Sequence, residues 1–205
     1  MNASDTREWM LRFFAAVDRE QQALTDLDRR CGDGDFGTNL GSALRRARAG
    51  LDSAQTATPG DVLTVVATAF LQTGGTSGPL FGMWFRQLAK ATRVPSVGVV
   101  ELARGFAEAT AAVQRLGGAR PGDKTMVDAM LPATDALAAA SGDLDDALTA
   151  AALAARQGAE ATAQLLAKRG RASYVGESAR GVLDPGAVTV ALLVEAARAS
   201  AARRR

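Results

Sequence analysis

Asp184-Pro185-Gly186-Ala187-Val188-Thr189-Val190-Ala191-Leu192-Leu193-Val194-Glu195-Ala196 contains the β-branched cluster on which the fold class turns. On propensity alone, Ala187 to Ala191 makes a strand. The cluster follows Asp-Pro-Gly, however, and runs without a break into Leu192 to Ala196. That context is consistent with a buried helix, from about Ala187 to Arg203. With that stretch helical, no segment alternates as a half-buried strand would, and apolar residues recur at helical spacing throughout. The chain reads as all-α with eight helices, an antiparallel bundle or barrel. The first spans about Asp5–Arg29, with Trp9, Phe13, Val17 and Leu24 on or near one face, and the second about Thr38–Ser53. The third opens at Thr58-Pro59, an N-cap followed by proline at the first helical position. It turns Val62, Val65, Val66 and Phe70 inward and ends before Gly74-Gly75. The remaining spans are about Gly78–Thr92, Ser96–Leu116, Lys124–Ala140 with Pro132 predicting a kink, and Leu144–Lys168 capped by Ser141 or Asp143. The Ala-rich seventh helix lets its neighbours approach closely. No linker or repeat interrupts residues 1–205, so one domain is expected.

The composition is that of an ordinary globular protein, with 205 residues, 47% hydrophobic, 22% charged and a net charge of +2. So small a charge does not predict a nucleic-acid partner, and the basic run Arg203–Arg205 reads as a solvated tail. No apolar stretch is long enough to span a membrane, and the N-terminus lacks the order of a signal peptide, so a cytoplasmic protein is expected. Histidine is absent. This excludes Ser-His-Asp and Cys-His catalysis, His-ligated metals and phosphohistidine carried on this chain. The single cysteine, Cys31, permits no internal disulfide and reads as a small packing residue.

Four connections are richer in glycine and polar residues than turns require. They are Cys31-Gly-Asp-Gly-Asp-Phe-Gly-Thr-Asn39, Gly74-Gly-Thr-Ser-Gly-Pro-Leu-Phe-Gly82, Gly117-Gly-Ala-Arg-Pro-Gly-Asp-Lys-Thr125, and Gly170-Arg-Ala-Ser-Tyr-Val-Gly176 continuing to Asp184-Pro-Gly186. They follow helices one, three, five and seven. In an up-down bundle those connections share one end, so the four are expected to build one site.

Asp33 and Asp35 in the first connection, with Asp28 just upstream, form a set of three carboxylates expected to converge. Mutual repulsion favours a cation, and hard oxygen donors without His or Cys point to Mg²⁺ or Ca²⁺. An Asp-rich turn that merely caps the next helix is the alternative. Asp33-Gly-Asp35 resembles part of an EF-hand loop, but the ladder of acidic ligands does not continue. Phe36-Gly37-Thr38-Asn39 and Thr76-Ser77-Gly78 begin helices, where backbone N–H groups and hydroxyls suit phosphate. Arg171 and Lys124 add cations. Gly122-Asp123-Lys124-Thr125 is not a P-loop, because Asp123 separates the glycine from the lysine and a helix, not a strand, precedes it.

The four stretches Gly-Asp-Gly-Asp-Phe-Gly-Thr-Asn, Gly-Gly-Thr-Ser-Gly-Pro-Leu-Phe-Gly, Pro-Gly-Asp-Lys-Thr-Met-Val-Asp and Gly-Arg-Ala-Ser-Tyr-Val-Gly-Glu with Asp-Pro-Gly-Ala, in this order, resemble the L subunit family of dihydroxyacetone kinases. That module is also the C-terminal domain of single-chain ATP-dependent dihydroxyacetone kinases. The resemblance covers essentially the whole chain. It implies an eight-helix antiparallel barrel with ADP or ATP at one end. It further implies two Mg²⁺ ions on Asp28, Asp33 and Asp35. Phe36, Gly37, Thr38, Asn39, Thr76, Ser77, Gly117, Met126, Arg171, Asp184, Pro185 and Gly186 would line the nucleotide. Two Mg²⁺ outweigh three carboxylates, leaving the phosphates to be neutralised partly by Arg171, Lys124 and helix N-termini. Phe36 stands where relatives often carry Thr or His, and Val182-Leu183 where some carry His-Gln.

The implied function is phosphoryl transfer to dihydroxyacetone held covalently by a His of a separate K subunit. In one branch of the family the nucleotide is a cofactor recharged by a phosphohistidine-carrying phosphotransferase subunit; in the other, ATP exchanges as a substrate. The sequence leaves that choice open, along with the oligomeric state, for which a homodimer is one option. A nucleotide-sensing regulatory module and a kinase subunit acting on a four-carbon ketose are the competing readings.

Overall fold

The computed structural model describes residues 1–201, and among them there are eight α-helices and no strand. The helices are α1 (Ala3–Cys31), α2 (Phe36–Ser53), α3 (Pro59–Leu71), α4 (Ser77–Ala91), α5 (Val99–Gly117), α6 (Val127–Ala139), α7 (Leu144–Ala161) and α8 (Pro185–Ala201). The Arg203–Arg205 tail and the expected end of the last helix lie outside the described residues.

Local chemistry fixes most helix starts. Asn2 and Asp5 form a capping box on α1, and Thr58 and Asp61 form another on α3 with Pro59 in the first turn. Asp143, of the two candidates, caps α7, accepting from the Asp145 and Asp146 N–H groups at 2.9 and 3.0 Å. The strand-prone cluster lies inside α8, where Ala187, Val190, Ala191, Leu193, Val194 and Ala197 are all buried. Helices α1, α6 and α7 pack around it. A helix covered on most sides has no need of an amphipathic pattern, and that packing overrides the β propensity of Val188 to Val190.

Each helix packs on the next, and α8 returns to pack on α1. The buried Trp9 indole N–H seals this return by donating to the Leu193 carbonyl at 2.8 Å. Arg156 grips Glu195 with two bonds of 2.8 Å between α7 and α8, while Thr110 and Thr134 meet at 3.1 Å between α5 and α6. Phe13, Phe14, Phe70, Phe81, Trp84, Phe85 and Phe106 are fully buried, and one continuous apolar core draws on all eight helices.

Several expected boundaries move, and α5 starts at Val99, not Ser96. Helix α6 starts at Val127, not Lys124, because the Asp128 carboxylate accepts the Gly122 and Thr125 N–H groups at 2.6 and 2.8 Å and holds the preceding residues in a turn. Helix α7 ends at Ala161, not Lys168. A 3₁₀ turn at Thr162–Gln164 follows, then an irregular loop with further 3₁₀ turns at Arg171–Tyr174 and Gly176–Ala179. Helix α6 continues through Pro132.

Candidate functional site

The connections after α1, α3, α5 and α7 meet at one end of the bundle and enclose a cleft of about 210 Å³. Every predicted site residue except Gly37 and Thr38 lines it: Asp28, Asp33, Asp35, Phe36, Asn39, Thr76, Ser77, Gly117, Met126, Arg171, Asp184, Pro185 and Gly186. Gly37 instead faces α1, where a Cβ would sit 2.8 Å from the Gln21 carbonyl oxygen. The close approach of α1 and α2 there leaves no room for a side chain. Thr38 is exposed and not part of the cleft lining.

The structure adds an apolar wall that motif reading missed, built from Leu80, Val113, Ala119 and Val127 beside Met126. Helical spacing carried the signal: Leu80 is one turn beyond Ser77, and Val113 one turn before Gly117.

The carboxylates have distinct environments. The Asp28 carboxylate accepts the Phe36 N–H at 3.0 Å, which ties the end of α1 to the start of α2. Asp33 is ion-paired with Arg171, a cation brought to it from the last loop. Asp35 and Thr76 occupy the N-cap positions of α2 and α4, yet neither caps its helix with its side chain. Plain capping therefore does not account for these two residues. Part of Asp184 faces solvent, but its carboxyl group is enclosed, and burial raises its pKa to about 7 against the pull of the Ala187 N–H bonded at 2.7 Å. Burial, reinforced by Asp184 and Asp28, also raises the Cys31 thiol to about 11, so it remains a protonated packing group.

Lys124 lines the cleft, but its ammonium is engaged by backbone. Its buried ammonium donates to the carbonyls of Thr162 and Val182, both at 2.5 Å. Desolvation lowers its pKa, partly opposed by nearby Asp184. Lys124 is also the one non-glycine residue with positive φ among those described, at 60°.

The donors fit Mg²⁺ in kind, being carboxylate oxygens with phosphate-seeking N–H groups nearby. Among the described residues no group of three or more acidic or thiol side chains is gathered closely enough to hold a cation by itself. Mg²⁺ commonly takes one or two protein carboxylates and completes its octahedron with water and substrate phosphate, so a ready-made cage is not required.

Comparison with known proteins gives a consistent result. Residues 30–199 match the DAK2 domain family. The chain is 35% identical over 192 residues to the ADP-binding subunit DhaL of a PEP-dependent dihydroxyacetone kinase of Escherichia coli strain K12, covering 91% of each. It is 40% identical over 187 residues to a D-erythrulose kinase of Mycolicibacterium smegmatis, covering 87% of this chain but 32% of that protein. Among solved structures, it resembles the dihydroxyacetone kinase of C. freundii in complex with AMP-PNP and Mg²⁺, with a TM-score of 0.71 and 28% identity. That match covers 97% of this chain and 33% of that one. The chain thus spans about a third of the longer kinases. No helix among the described residues is long and apolar enough to cross a membrane.

Proposed function

Because the chain belongs to the DAK2 domain family, we propose that it is the nucleotide-carrying subunit of a dihydroxyacetone kinase, a phosphotransferase that works with a separate acceptor-binding K subunit. The supporting observation is the convergence of four glycine-rich connections on one cleft. It brings three carboxylates, two helix N-termini without side-chain caps and Arg171 to a single lining. In this reading residues 1–205 form one nucleotide-binding domain in the cytoplasm.

Asp28, Asp33 and Asp35 would hold two Mg²⁺ ions, which when bound withdraw charge from the phosphates and fix their geometry. The N–H groups that open α2 and α4 would donate to phosphate oxygens, aided by the positive ends of the helix dipoles. Arg171 exchanges its partner Asp33 for the phosphates. Leu80, Val113, Ala119 and Met126 offer an apolar face to the base. No residue in this chain carries an imidazole, so the group that holds the ketose belongs to the partner.

The mouth suits a partner surface. Leu116 at the end of α5, and Leu166, Tyr174 and Val175 in the loop after α7, are large apolar side chains exposed at that end of the bundle. A docked subunit would cover them and exclude water from the transfer.

A four-carbon ketose is a second acceptor reading, supported by the similarity to a D-erythrulose kinase. The experiment is reconstitution with a K subunit, Mg²⁺ and either ATP or a phosphohistidine-carrying donor. Dihydroxyacetone or erythrulose serves as acceptor. Phosphorylated triose is the expected product, the donor arm that yields it identifies the branch, and absence of any sugar phosphate would leave only a nucleotide-sensing module. In calorimetry Asp33→Ala should abolish Mg²⁺–ADP binding while far-UV circular dichroism remains that of the wild type; unchanged affinity contradicts the metal assignment.

A further inference from the structure

The loop between α7 and α8 carries Arg171 to the cleft, where its side chain pairs with Asp33 and little else holds the residue in place. None of the residues in its 3₁₀ turn is buried, and the Arg171 side chain is 60% exposed. Ala172, Ala179 and Val182 rest on Cys31 and Leu27 at the end of α1. Beyond that small apolar contact, the loop is fastened mainly at its base. Gly181 N–H donates to the Ala163 carbonyl at 2.8 Å, and Asp184 N–H to the Thr162 hydroxyl at 2.9 Å.

Lys124 bridges the same base from below. One ammonium binds the Thr162 carbonyl on the outgoing side and the Val182 carbonyl on the returning side. Its neighbour Asp123 holds the outgoing limb further along. The Asp123 carbonyl accepts the Lys168 N–H at 3.0 Å, and its buried carboxylate faces Arg169 at 3.4 Å and Lys168 at 3.8 Å. Burying an ammonium is costly unless its donors are used, and a left-handed backbone is unfavourable for a lysine. Both costs fall on Lys124, at the point where its charge reaches the two ends of one loop.

We infer that Asp123 and Lys124 form a clamp that positions the Arg171 loop over the nucleotide cleft, an inference that rests on the function proposed above. Lys124 is a positioning residue that acts through Arg171 and does not bind phosphate itself.

A double-mutant cycle on the full chain, read as Mg²⁺–ADP affinity by calorimetry, tests this. Lys124→Met keeps the length of the side chain and removes its charge. Affinity should fall roughly tenfold or more, as for loss of hydrogen bonds to a charged group. In an Arg171→Ala background the same substitution should cost almost nothing further, because residues that act through one contact are not additive. Equal losses in both backgrounds, or wild-type affinity in Lys124→Met, overturn the clamp. Should Lys124→Met fail to fold, Asp123→Asn carries the same cycle with a severalfold loss, again absent beside Arg171→Ala. A wild-type chain that binds no Mg²⁺–ADP would sink the proposed function alone. The clamp is then read from trypsin cleavage at Lys168, Arg169 and Arg171, expected about tenfold faster in Lys124→Met, as follows from a lower opening free energy. Cleavage at the wild-type rate rejects it.

Discussion

Asp184 stands at the start of α8 with its carboxyl group enclosed, and its raised pKa has a consequence for stability. Unfolding returns the group to an ordinary carboxylate, with a pKa of 3.8 against about 7 in the folded chain. Between those values the folded state binds the extra proton, so stability declines as pH rises through that window and reaches its full penalty above it. Asn at 184 keeps an oxygen for the Ala187 N–H but cannot ionise. In calorimetry of the ligand-free chain, the melting temperature of wild type should fall relative to Asp184→Asn between about pH 4.5 and pH 7.5, by on the order of 5 °C. Parallel curves would reject the raised pKa. That Asp28, Asp33 and Asp35 share one cleft lining was legible in the sequence, because they flank one glycine-rich connection. The role of Lys124 was not legible. A lysine in a polar loop reads as solvated, and the carbonyls it binds lie 38 and 58 residues away.

At the scale of the element, Gly158 sets how closely α7 approaches α6. A Cβ there would lie 3.0 Å from the Ala129 Cα and closer still to the Asp128 carbonyl oxygen. Alanine at an open helical position stabilises by up to about 1 kcal/mol relative to glycine. At Gly158 the backbone of α6 is the obstacle and cannot rotate away, so the sign reverses. Gly158→Ala should lower the melting temperature by several degrees, whereas an increase would mean that the two helices separate without cost. Helix existence and type could be read from apolar spacing and from Thr58-Pro59, because those signals are local. The ends of α6 and α7 could not. The Asp128 side chain withholds Lys124 to Met126 from α6, and the chain leaving Ala161 is drawn away by contacts with Asp123, Lys124 and α1.

For the whole molecule, one core shared by eight helices predicts one cooperative unfolding transition, with Trp fluorescence and far-UV circular dichroism changing together. Mg²⁺–ADP at about a hundred times its dissociation constant should stabilise the native state by about 2.7 kcal/mol, raising the melting temperature by roughly 5–10 °C. Excess EDTA should erase the shift; a shift that survives chelation would separate the nucleotide from the metal. The sequence by itself determined the all-helical class, the presence of four unusual connections and the carboxylate, hydroxyl and cationic residue types of the cleft, since spacing and side-chain chemistry are properties of short segments. Only the tertiary structure decided that α8 closes on α1, that Gly37 lies against α1, that Leu80 and Val113 complete the cleft, and that Arg171 meets Asp33. Each of these joins residues far apart in the chain, and their proximity exists only once the helices have packed.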